Sequence, residues 1–318
     1  MRPLSLPALL LLILVPAITL ASVGDKSFAY QDCVGKCIEQ ECRPGHEHDL
    51  PLILRLLRWS CQENCRYGCT HRDTADRLDR GAPVVQYYGK WPFTRLVGMQ
   101  EPASVLFSFL NGLGHWVHRK QIMAIPSSYY LQPLLVGYFL VGLNTWTWSS
   151  IFHMRDTPLT EKLDYFSAGF AVLYSTFLTL CRLLRLGLRG QRKLSLFFII
   201  PYLLHIAYLG LSESFDYGYN MTANVIVGCI HNVLWLLWSF TNRNRLPYAW
   251  IPTAGVIAIT LAMSLELLDF PPLAWALDAH SLWHLATVPL VWLWYRFLLT
   301  DTAFEMRKIH QAREALAL

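Results

Sequence analysis

Seven long apolar runs, separated by short basic clusters, constrain this chain more than any other feature. Backbone N–H and C=O groups cannot go unpaired in hydrocarbon, so a membrane-spanning run must be a helix or part of a closed barrel. Runs of about 20 residues suit helices. They are read as Leu96–Val117, Leu131–Phe152, Leu163–Leu184, Leu194–Leu211, Thr222–Phe240, Tyr248–Leu268 and Leu273–Leu298. Composition agrees: of 318 residues, 54% are hydrophobic and 15% charged, against about a quarter charged in ordinary domains. The expected fold class is therefore an all-α membrane protein, a seven-transmembrane helix bundle. The net charge of +5 sits in the connecting loops. It forms no basic face interleaved with aromatics, so nucleic acid is not implied.

Ahead of the bundle, Arg2 precedes an apolar run from Leu4 to Leu20, and Thr19-Leu20-Ala21 offers the small residues a signal peptidase reads. Residues 1–21 are read as a cleaved signal peptide, with a retained anchor as the rival. Residues 22–95 then form a small lumenal head containing Cys33, Cys37, Cys42, Cys61, Cys65 and Cys69. With three or four residues between neighbours, these cysteines fall about one turn apart, toward one face of each of two short helices. An even count in an oxidising compartment points to three disulfides, among fifteen pairings that spacing does not resolve. Zinc ribbons favour C-x2-C pairs, which are missing here. His46, His48 and His71 are read as solvated loop residues, and Cys181 and Cys229 as packing residues inside spans.

The loops assign orientation through the positive-inside rule. Arg119 and Lys120, then Arg185, Arg189, Arg192 and Lys193, then Arg243 and Arg245, then Arg307, Lys308 and Arg313 fall on one side. With the head lumenal, that side is the cytosol, and residues 299–318 form a cytosolic tail. Asn220-Met221-Thr222 is a glycosylation acceptor motif in a lumenal loop.

Ionisable residues inside spans point to function. Ser149 and His153 close the second span, Asp164 opens the third, and His280 and His284 lie early in the seventh. The topology gathers all five in the lumenal leaflet. Ser149 and His153, like His280 and His284, are one helical turn apart on one face. Two histidines on a helix and a third from a neighbour leave one position of a tetrahedral zinc open for water. Asp164 could then move the water's proton, and Ser149 could hydrogen-bond a developing oxyanion. The plainer alternative makes each histidine an interfacial hydrogen-bonding residue. Asp278 reads as a helix-start residue, His205 and His231 as packing residues, and His115 and His118 as interfacial. Glu266 and Asp269 read as carboxylates able to support a metal site or hold calcium.

The S-x3-H, Asp and H-x3-H pattern resembles a superfamily of seven-span membrane hydrolases that includes alkaline ceramidases and adiponectin-type receptors. Within it the chain most resembles the Per1-like family. The shared segments are Gly89 to Phe93, Gln100 to Ser104, Phe109 to Gly112, Phe152-His153, Arg155 to Thr157, Leu159 to Phe166, Phe215 to Asn220, and Leu265 to Pro272 leading into Leu277 to His280. The cysteine-rich head also belongs to that family. The resemblance implies remodelling of glycosylphosphatidylinositol (GPI) anchors in the secretory pathway, at the Golgi membrane or the endoplasmic reticulum. The implied reaction is phospholipase A2-type removal of the unsaturated sn-2 acyl chain, with GPI-anchored proteins as lipid substrates. It implies Ser149 and Asp164 as catalytic residues and His153, His280 and His284 as zinc ligands. The rivals are a seven-span receptor, a non-catalytic accessory factor for GPI-anchored proteins, and a ceramidase-like amidase.

Overall fold

The computed structural model describes residues 23–42 and 50–317, all of them helix, turn or loop apart from three isolated β-bridges. The leader segment 1–21, His46 and His48 lie outside the described residues. The chain divides into two compact units, Met1–Phe93 and Thr94–Leu318.

In the first unit, α1 (Phe28–Glu41), α2 (Leu52–Leu56) and α3 (Cys61–Asp79) follow one another. Ser27 caps α1 by accepting from Tyr30 N, and Ser60 with Glu63 forms a reciprocal capping box on α3. Cysteines about one turn apart along α1 with its C-cap Cys42, and along α3, pair in antiparallel order: Cys33 with Cys69, Cys37 with Cys65, and Cys42 with Cys61. The disulfides replace the core that so short a segment lacks; Tyr30, Cys69 and Tyr87 form a small buried apolar cluster among its described residues. The Tyr87 hydroxyl donates to Asp73, and burial together with that carboxylate pushes its pKa up to about 12. His71 is not a solvated loop residue. It lies on α3, with its ring against Tyr67 and Nε2 3.1 Å from the Phe93 carbonyl.

In the second unit, α4 (Pro102–Val117), α5 (Arg119–Met123), α6 (Gln132–Met154), α7 (Pro158–Leu183), α8 (Leu188–Leu211), α9 (Tyr217–Asn242), α10 (Trp250–Met263) and α11 (Ala279–Ala317) form a bundle. Among the described residues, four helical stretches are long and apolar enough to cross a membrane: Pro158–Leu183, Leu188–Leu211, Tyr217–Asn242 and Ala279–Ala312. They turn side chains such as Phe197, Ile200, Leu204, Ile230 and Leu237 outward, as lipid contact requires. The protein is a multi-pass membrane protein.

The other three expected spans fall short by length and composition, each for a local reason. Leu96–Met99 closes as a tight turn with Val97 and Gly98 both at positive φ (52° and 77°), so α4 begins only at Pro102. α6 is long enough, but Asn144, Thr145, Ser149, Ser150 and His153 dilute its apolar character. α10 is 14 residues long and passes into a 3-10 turn, Ser264–Leu267. At the other end, Leu273–Asp278 is irregular, and α11 continues past Leu298 without a break, so residues 299–317 prolong the last helix.

Several side chains depart from their sequence reading. Asn220 lies within α9, 5% exposed and bonded to Asn224, which does not suit a glycosylation acceptor. Cys181 is buried as expected, but Cys229 is exposed. His115 and His118 lie at the C-terminal end of α4. Both are buried against Tyr295, His115 through Nδ1 and the tyrosine hydroxyl (2.9 Å) and His118 by ring stacking. Gly142 makes room for this: a Cβ there would fall on the His115 ring.

Candidate metal centre

The site begins with the way the chain caps helix ends. The last carbonyls of an α-helix have no partner within the helix. At the end of α6, the backbone N–H groups of Gln100 and Glu101 supply partners, donating to Met154 and His153 (both 3.0 Å). The same contact lays the Glu101 side chain along His153, with Oε2 2.7 Å from Nδ1. Both side chains are buried.

The start of α11 is fixed by a reciprocal cap. Ser281 N–H donates to Asp278 Oδ1 (2.9 Å) and Asp278 N–H to Ser281 Oγ (3.0 Å), so Asp278 is the helix-start residue it was read as. One turn of α11 then presents His280 and His284 together. His280 Nδ1 meets Glu266 Oε1 at 2.8 Å. His284 Nδ1 lies 3.3 Å from Ser108 Oγ on α4. Asn111, one turn further along α4, donates to the His284 carbonyl (2.9 Å) and locks the two helices at this level.

Three Nε2 atoms are left facing one another. His280 Nε2 is 3.3 Å from His153 Nε2 and 2.9 Å from His284 Nε2. A carboxylate accepts a hydrogen bond from Nδ1–H of His153 and of His280, so the Nε2 atom of each ring, when neutral, carries a lone pair. Lone pairs that converge without a proton between them repel unless a cation lies among them. Nitrogens bound tetrahedrally at 2.0–2.1 Å from zinc stand about 3.3 Å apart, close to the spacing seen here. The donor set therefore fits a metal ion of the kind that imidazole accepts. Histidine ligands oriented by carboxylates through Nδ1 are the usual support of such sites. His280 is the accessible member, with 39% of its side chain exposed, while His153 and His284 are buried.

Ser149 joins the cluster, with its Oγ 2.9 Å from Ser108 Oγ. Asp164 does not share in the set of ligand atoms lying within 4.8 Å of one another. Its depth follows from the register of the antiparallel pair α6 and α7. Asn144 donates to Ser167 Oγ, and the Phe152 ring lies against Tyr165. Asp164 precedes Ser167 by one turn, about 4.5 Å at 1.5 Å per residue, which brings it level with the Ser149 turn of α6. Trp146 and Trp283 wall the histidines, their ring centroids 5.5 and 4.8 Å from His284. Trp283 Nε1–H is buried without a hydrogen-bond partner. The sequence reading missed Ser108, Asn111 and the role of Glu101. A signal was present: Ser104, Ser108, Asn111 and His115 recur at helical spacing along an apolar segment, and all four are buried on one face of α4.

The sequence profile of the Per1-like family matches residues 51–302. The chain is 44% identical over 299 residues to Protein PER1 homolog of Schizosaccharomyces pombe, covering 91% of this chain and 89% of that one. It is 41% identical over 290 residues to the GPI-specific phospholipase A2-like PGAP3 of Danio rerio (89% and 91% covered). It is 39% identical over 308 residues to the protein of the same name in Homo sapiens (94% and 95% covered). No solved structure matches. A family profile that spans most of the chain, together with relatives near 40% identity that carry almost its full length, shows that this chain belongs to the Per1-like family.

Proposed function

We propose that this protein hydrolyses the sn-2 acyl ester of the inositol phospholipid that anchors GPI-linked proteins. The observation that carries the reading is the convergence of His153, His280 and His284 through Nε2, with Nδ1 of His153 and His280 held by Glu101 and Glu266. The name GPI-specific phospholipase A2-like, borne by relatives covering nearly the whole chain, supports the substrate and the bond.

In this reading α4 and α6 to α11 make seven crossings, with the flanking turns completing α4 and α10. The head is lumenal, residues 96–298 form the hydrolase bundle, and the C-terminus is cytosolic, in a Golgi or endoplasmic reticulum membrane. The basic loops then face the cytosol and the histidines the lumenal leaflet, where the anchor's ester lies below its headgroup.

His153, His280 and His284 would hold the zinc, which when bound would supply Lewis acidity toward an ester carbonyl and lower the pKa of water toward neutral. Glu101 and Glu266 keep protons on Nδ1 and thereby hold the Nε2 lone pairs in the site. Asp164 takes a proton from the attacking water and returns it to the glycerol oxygen. Ser149 donates to the carbonyl oxygen as that atom gains negative charge. One C–O bond forms to water and one breaks to glycerol, so a fatty acid and a lyso lipid leave.

The test is release of labelled sn-2 fatty acid from an anchor lipid by purified protein in detergent. Release should vanish with a zinc chelator, in Asp164→Ala and in His280→Ala. Full release by folded His280→Ala protein would overturn the metal role. No release from folded, zinc-loaded wild type would favour an accessory or receptor function.

A further inference from the structure

We infer that Ser108 is a positioning residue that turns the Ser149 hydroxyl toward substrate, through a hydrogen-bond chain whose direction is set by metal at His284. The inference rests on the metal-hydrolase reading above.

The chain has three members from three helices. Ser108 Oγ on α4 lies between His284 Nδ1 on α11 (3.3 Å) and Ser149 Oγ on α6 (2.9 Å). Ser108 has no exposed surface and Ser149 only 3%, so Ser108 reaches a substrate only through its neighbour. Each hydroxyl has one proton to give, so the chain runs in one of two directions. With Nδ1 of His284 bare, Ser108 donates to it, Ser149 donates to Ser108, and no proton is left for a ligand. With Nδ1 protonated, the imidazole donates to Ser108, Ser108 donates to Ser149, and the Ser149 proton is left over.

Metal selects the second direction. A neutral imidazole that gives its Nε2 lone pair to a cation keeps its proton on Nδ1. Metal binding at His284 therefore makes Ser149 a donor, whereas a metal-free ring can take either tautomer and leaves the direction of the chain open.

The neighbours of Ser149 on α6 show how unusual its freedom is. Hydroxyls within helices commonly donate to the carbonyl one turn back. Thr145, Thr147 and Ser150 do so, to Val141, Leu143 and Trp146. Among the described residues, Ser149 Oγ has Ser108 Oγ as its one partner. Its proton is thus not committed to the backbone, and a hydroxyl preset in this way stabilises a developing oxyanion without reorganising during the reaction.

The experiment uses full-length protein in detergent: wild type, Ser108→Ala, Ser149→Ala, the double variant, and the equal-shape pair Ser108→Thr and Ser108→Val. Metal content and affinity are measured by chelator competition, and kcat and KM by release of labelled fatty acid at saturating metal. Ser149→Ala should lower kcat by about 10²–10³-fold and leave metal affinity unchanged. Ser108→Ala should weaken metal binding by about 10–100-fold, because Ser108 alone of the two serines touches a ligand. It should also lower kcat with KM kept. In the Ser149→Ala background, Ser108→Ala should weaken metal binding again but cost no further kcat. Ser108→Thr should restore both properties and Ser108→Val neither, which separates the hydroxyl from any packing defect. An equal loss of kcat from Ser108→Ala with and without the Ser149 hydroxyl would overturn the chain. So would wild-type kcat in metal-loaded Ser108→Ala, and that result would leave the metal reading intact. Release that persists in chelator-treated wild type would remove the metal reading and this inference together.

Discussion

Glu101 grips His153 twice: its carboxylate lies 2.7 Å from the ring nitrogen Nδ1, and its backbone N–H donates to the His153 carbonyl at 3.0 Å. One residue ahead of α4 thus holds both the end of α6 and the ring of His153, a ligand in the proposed metal site. Replacing Glu101 with Ala should weaken metal binding by about 10–100-fold, while Gln, which can still accept from Nδ1–H, should lose less. Glu266→Ala should follow the same order with a smaller loss, because its pair with His280 is partly exposed. Chelator competition on purified protein measures each.

Trp283 holds an unpaired buried donor beside His280 and His284. Such a group is costly in a membrane interior unless a ligand satisfies it. Trp283→Phe keeps the ring and removes the N–H. It should raise KM for the anchor lipid by about 3–10-fold, the worth of one hydrogen bond, with kcat little changed. An unchanged KM would mean that the N–H does not meet the lipid.

The far half of the bundle is held by a buried ion pair. Arg182 on α7 clasps Asp301 on α11 through two bonds of 2.6 and 2.8 Å, and Tyr248 adds a third contact to the same carboxylate. Asp301 lies 17 residues beyond His284, roughly 25 Å along the helix. Arg182→Met leaves a buried carboxylate unpaired and should cost about 3–5 kcal/mol. A lower thermal midpoint, with unchanged metal affinity in the folded fraction, is the expected result.

In the head, Cys37–Cys65 is the middle of three rungs joining α1 and α3. Replacing both cysteines with Ser should destabilise the head by about 2–5 kcal/mol. Proteolysis of the full-length protein should then cut within the head while the bundle stays intact.

The sequence by itself determined the helical membrane class, the pairing of apolar runs with basic loops, the stapled head and the five polar residues to watch. Those follow from composition and from the 3.6-residue period, which act locally along the chain. The tertiary structure decided what lies between residues distant in sequence. It paired the cysteines in antiparallel order, because α1 and α3 run in opposite directions and the end of one meets the start of the other. It brought His115 and His118 into a buried contact with Tyr295 and placed Asn220 within α9. It started α4 at Pro102 because Val97-Gly98 closes a turn. Above all, it brought Glu101, Ser108 and Glu266 to the three histidines across separations of up to 176 residues. No local propensity encodes those contacts. They exist because buried carbonyls and ring nitrogens must find partners, and only the packed bundle decides which partners are within reach.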